Sequence, residues 1–155
     1  MKRIGRRGVL AGAVAMAASL ASRRSAPPDR RQELVEQYHR GQENVVASSQ
    51  QLTRGRQLLA GGADADLAGA VFTNARLTAQ LAADAFYDVS AMAAGLGYER
   101  VVRDAEVGNA FATSLVTCSD AWYDRSRYGG ADPDCPDLDW AGLTDVTDVR
   151  TAVGL

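Results

Sequence analysis

Cys118 and Cys135 are the only two cysteines of the 155-residue chain. Sixteen residues separate them, so a Cys-x-x-Cys redox motif is excluded. An even count fits a disulfide formed where thiols are oxidised. The alternative is a buried thiol at Cys118 and an exposed one at Cys135. By chain-entropy arithmetic, a bridge closing a loop of this size is worth about 3 kcal/mol. Glu36 and His39 have a Glu-x-x-His spacing, which helices holding two bridged metals use twice. His39 is the single histidine, so no second copy exists and an ordinary exposed histidine is expected.

The run from Asp132 to Trp140 supplies carboxylates of the kind calcium takes. Counting from Asp132, the sixth position is Asp137 rather than glycine and the twelfth is Leu143 rather than glutamate. An acidic turn pinned by Cys135 and Trp140 is the better reading. Between Asp120 and Tyr128, the residues Trp122, Tyr123, Arg125 and Tyr128 form a candidate interaction surface, because Trp, Tyr and Arg are enriched at binding hot spots. The alternative is a helix C-terminus whose arginines complement its dipole. Asp88, Arg100 and Asp104 form a candidate polar layer, with Arg31 near it. A second layer would hold Ser49 and Asn74 close to Cys118. Such layers fix helix register at a cost in stability, or they line a pocket for a small ligand or cation.

These residues need long helices to place them. Gly61-Gly62, Gly95-Leu96-Gly97 and Gly129-Gly130 are breaks. They divide the body into stretches of about 29–60, 63–94 and 98–128, each without internal proline. A helix of that length spans roughly 45–50 Å. Short loops join antiparallel neighbours. The expected fold is all-α, an antiparallel up-down-up bundle of three long helices with coiled-coil-like packing. A disulfide-tethered acidic C-terminal tail, 129–155, follows it.

The apolar arcs are Leu34, Val35, Tyr38, Val45, Val46, Leu52 and Leu59 on the first helix. On the second they are Leu67, Ala70, Val71, Leu77, Leu81, Ala85, Val89 and Met92. On the third they are Val101, Ala105, Val107, Phe111, Leu115, Cys118 and Trp122. Gln42, Ser49 and Arg56 are polar intrusions into the first arc.

Charge is uneven. Residues 1–26 carry Lys2, Arg3, Arg6, Arg7, Arg23 and Arg24 and no acid. Removing residues 1–21 leaves 13 basic against 19 acidic residues, a net charge of −6. Nucleic acid is therefore not an expected partner. Residues 1–21 begin with a basic cluster, continue through an apolar run from Gly8 to Leu20 and end on small residues, the order of an export signal. The run is too short to cross a hydrocarbon core of ~30 Å as a helix. Arg6-Arg7-Gly8-Val9-Leu10 resembles the core of a twin-arginine signal peptide, with Val9 where Phe is usual. That resemblance implies export, with the general secretory route as the alternative. Cleavage is expected after Ala21, leaving 22–28 as a short linker and no membrane span.

No phosphate-binding glycine loop, dinucleotide fingerprint or nucleophile–base pair is visible. The sequence predicts no enzyme, no metal and no cofactor. It points to a small exported bundle with a structural or protein-interaction role at the envelope or outside the cell. Its partner would be another protein or a second copy. The alternative is a module that binds a small ligand or cation outside the cytoplasm.

Overall fold

The computed structural model describes residues 27–135 and 140–155. The leader at 1–21 and the first part of the linker lie outside the described residues, as do Asp137 and Asp139. Three long helices make the body: α1 (Pro28–Ala60), α2 (Ala65–Leu96) and α3 (Glu99–Tyr128). A 3-10 turn (Trp140–Gly142) and a short helix, α4 (Val146–Ala152), follow them among the described residues. No strand occurs among the described residues.

Local chemistry sets the ends. Pro28 sits in the first turn of α1, where a missing N–H costs nothing. The Asp64 carboxylate caps α2 by accepting from the Asp66 N–H at 2.6 Å. Gly97 ends α2 with φ of 79°, a left-handed conformation that glycine adopts without strain.

The contacts fix how the helices lie. Gly41 meets Phe86 and Gly55 meets Phe72, while the Ser48 hydroxyl donates to the Ala75 carbonyl at 2.7 Å. Residue numbers rise along α1 as they fall along α2. The α2–α3 interface follows the same rule: Gly108 meets Phe86, Arg76 pairs with Asp120 at 3.4 Å, and Arg127 pairs with Asp66 at 2.6 Å. α2 packs closely against both neighbours, whereas α1 and α3 touch each other little.

The face that α2 buries differs from the expected leucine arc. Its core residues are Ala68, Phe72, Ala75, Ala79, Ala82, Ala85, Phe86, Val89 and Ala93. Leu67, Leu77 and Leu81 stand outside, at 53%, 48% and 60% exposure. The reason is steric. A central helix with two close neighbours needs small residues where the backbones approach, and large ones only where a neighbour offers a gap. The gaps are glycines. The Phe86 ring lies against Gly41 of α1 and Gly108 of α3, and Phe72 lies against Gly55. Aromatic contacts extend the core: Tyr38 meets Phe86 edge-on at 5.3 Å, and Phe72 stacks on Trp122 at 5.9 Å. On α3, Val101, Ala105, Leu115, Cys118 and Trp122 are buried as expected, but Val107 is exposed.

Candidate functional site

The side of the bundle between α1 and α3 is occupied by the C-terminal segment. Gln42, Ser49 and Arg56 recur every seven residues, so they form one line along α1. The segment runs beside that line. Arg56, Thr53 and Ser49 share a cleft with Pro133, Asp134 and Cys135. The Gln42 side-chain amide donates to the Thr144 carbonyl at 2.6 Å, and the Tyr38 hydroxyl donates to the same oxygen at 3.0 Å. Arg31, near the start of α1, donates to the carbonyls of Val153 and Gly154 at 3.1 and 3.0 Å. Val149 and Val153 are buried against the core. Residues expected as a tail thus form part of the packed body.

Cys118 and Cys135 form a disulfide, with Cα atoms 5.7 Å apart. It anchors the start of the C-terminal segment to α3. Beside it lies a cleft of about 390 Å³, walled by Leu52 and Arg56 of α1, by Leu115 and Trp122 of α3, and by the bridge. The Arg56 guanidinium lies over the Trp122 ring, 5.1 Å from its centroid. Trp122 is 5% exposed and its Nε1–H has no hydrogen-bond partner among the described residues; the Ser49 hydroxyl in the same wall is likewise buried and unpartnered among them. Buried donors are normally satisfied, and each one left unpaired costs about 1–3 kcal/mol.

The expected polar layers are rearranged. Asp88 is exposed on α2, and no ion pair among the described residues joins it to Arg100. Arg100 reaches Asp104 along α3 at 3.9 Å, with its own side chain mostly in solvent. Asp104 instead accepts from the Thr144 hydroxyl at 3.0 Å, and Arg31 serves the C-terminal carbonyls. Burial, with Asp104 nearby, raises the Tyr38 pKa from 10.0 to about 12. The phenol therefore stays a donor throughout the neutral range. Asp145 caps α4 by accepting from the Thr147 N–H at 2.7 Å, and that bonding holds its carboxyl below the ordinary value. In the other layer Asn74 is exposed, and Ser48 rather than Ser49 bonds across to α2. Asp88 and Asn74 face out because α2 turns its alanine face inward, while Arg31 and Asp104 are engaged by the C-terminal segment.

Trp122, Tyr123, Arg125 and Tyr128 do not share one open surface. Trp122 is buried, Tyr123 is half-buried near Gly69, and Arg125 pairs with Asp132 at 3.4 Å. Tyr128 alone projects, at 83% exposure. His39 is exposed and lies 3.8 Å from Glu43 of its own helix. Among the described residues, no group of three or more His, Cys, Asp or Glu side chains is placed to hold a metal ion. Nor is any described helix long and apolar enough to cross a membrane.

The largest feature missed from sequence is the outer face of α2. Leu67, Ala70, Asn74, Leu77 and Leu81 follow alternating spacings of three and four and are all exposed. Between Asp66 and Asp84 the only charged residue is Arg76, and it is engaged with Asp120. The signal was present as that uncharged, leucine-bearing stripe, but it reads equally well as a core-facing arc.

Compared with protein-family models, with curated proteins and with solved structures, the chain matches none.

Proposed function

We propose that this chain is an antiparallel helical bundle of the extracytoplasmic space that acts through self-association, pairing α2 with α2 of a second copy. The exposed, uncharged stripe of Leu67, Leu77 and Leu81 carries this reading. Its spacing is that of a coiled-coil seam. Asn74 falls at one core position of the seam, where two copies related by a parallel two-fold axis would set Asn74 against its counterpart. A neutral stripe presents no charge pattern by which to select a differently charged partner, which favours a second copy. The leader-like residues 1–21 and the Cys118–Cys135 bridge support a location outside the cytoplasm.

The stripe's size sets the strength. From Leu67 to Leu81 it covers roughly 21 Å of helix, with a footprint well below the ~800 Å² per partner of a standard stable interface. Burying three half-exposed leucines from each copy offers about 5 kcal/mol, comparable with the cost of association. The pairing is weak and reversible. Sedimentation velocity from micromolar to millimolar protein is the test. A concentration-dependent dimer is expected, and Leu77→Glu with Leu81→Glu abolishes it without lowering the melting temperature. A wild-type chain that stays monomeric throughout refutes self-association by this face.

A further inference from the structure

We propose that the cleft beside the Cys118–Cys135 bridge binds a small organic carboxylate with an apolar body. None of its wall residues belongs to α2, so the site is separate from the self-association stripe.

Arg56, Trp122 and Ser49 line one cleft; Asp134 also lines it, but its side chain is exposed, where solvent screens the charge. Among the described residues Arg56 is an exposed cation with no ion-pair partner, and its guanidinium lies over the Trp122 ring. A cation–π contact at such a site is worth about 0.5–1 kcal/mol, so the guanidinium is free to turn. Two residues of the same lining carry buried groups unpartnered among the described residues, Trp122 Nε1–H and the Ser49 hydroxyl. Both atoms are shielded from solvent while Arg56 covers the ring. A carboxylate satisfies all three: its charge and fork geometry suit the guanidinium, and its oxygens accept from the indole and the hydroxyl. Arg56 swings off the ring as the anion arrives. Leu52, the Trp122 ring edge and the disulfide add a small apolar margin to this mainly polar cleft, against which the body of the molecule rests and which a hydrated inorganic anion does not use. The volume of about 390 Å³ is in the range of small-molecule pockets.

The helices supply this arrangement only because the disulfide holds Pro133 and Asp134 against α1 and α3. The site is therefore a property of the oxidised protein.

Benzoate is the probe, titrated into the intact oxidised chain while the Trp122 indole proton is followed by NMR. A saturable downfield shift of that proton is expected, with a higher melting temperature at saturation. Benzyl alcohol, the same ring without the charge, and sulfate, the charge without the ring, are expected to leave the proton where it is. Arg56→Gln lies at an exposed position and gives up only the cation–π contact, so its melting temperature in the absence of benzoate falls by no more than a few degrees. Its benzoate affinity is expected to fall at least tenfold. No saturable shift up to millimolar benzoate overturns the site. Equal shifts with benzyl alcohol overturn carboxylate recognition, and equal shifts with sulfate overturn recognition of an apolar body. Undiminished binding in a folded Arg56→Gln chain overturns the role of the guanidinium.

Discussion

Gly108→Ala tests the central packing rule of this bundle, that a phenylalanine of α2 fills a gap left by glycine on a neighbour. A β-carbon at residue 108 would lie 2.7 Å from two atoms of the Phe86 ring. Carbon pairs settle at about 3.5–4.0 Å, so the shortfall is roughly 1 Å. The ring has no free direction. On its far side a β-carbon at Gly41 would already sit 3.0 Å from it, and Tyr38 lies edge-on at 5.3 Å. The strain must therefore part α2 from α3. Overpacking of this kind costs about 1–3 kcal/mol. Exchanging glycine for alanine inside a helix returns about 1 kcal/mol. A net loss of up to about 2 kcal/mol is expected, read as a lower urea midpoint at unchanged slope. The decisive arm is a Phe86→Ala background, which removes every ring atom, Cγ included. There the collision disappears, and Gly108→Ala should stabilise by about 0.5–1 kcal/mol. Stabilisation by Gly108→Ala in the wild-type chain refutes the clamped ring, and so does the absence of a sign change between the two backgrounds.

Tyr38→Phe keeps the ring against Phe86 but removes the bond to the Thr144 carbonyl, which Gln42 still serves. A loss of about 1 kcal/mol at neutral pH is expected by chemical denaturation. The wild-type phenol titrates near 12 when folded and near 10.0 when unfolded. Its contribution is therefore complete below pH 10 and lost as pH rises toward 12, a decline that the Phe variant should lack. Reducing the Cys118–Cys135 bridge, whose partners are 17 positions apart, should lower unfolding free energy by about 3 kcal/mol, measured as paired denaturation curves with and without reductant.

The glycine breaks made the long helices legible in the sequence, because Gly61-Gly62, Gly97 and Gly129 are the residues that let the chain turn. The disulfide was legible for a different reason: two cysteines allow only one pairing. The orientation of α2 was not. Hydrophobicity ranks Leu67, Leu77 and Leu81 above Ala75, Ala79 and Ala82, yet close helix approach selects the alanines. The helix-interior glycines 41, 55 and 108 were the available clue, since a glycine there is costly unless something fills its space. Gln42, Ser49 and Arg56 stood out as polar residues within the α1 arc. Their seven-residue recurrence marked the path of the C-terminal segment, but nothing in the segment itself announced that it would lie there.

The clasp of Arg31 on the last carbonyls, at Val153 and Gly154, has an engineering consequence. The beginning of α1 and the end of α4 occupy one pole of the body. A short glycine–serine linker from residue 155 to residue 27 therefore has little distance to span. New termini opened in the turn at 61–64, where Gly61 and Gly62 are exposed, would emerge at the opposite pole. Such a circular permutant should keep the core and the disulfide while moving the points of attachment. A surface-tethered form would then present the molecule upside down.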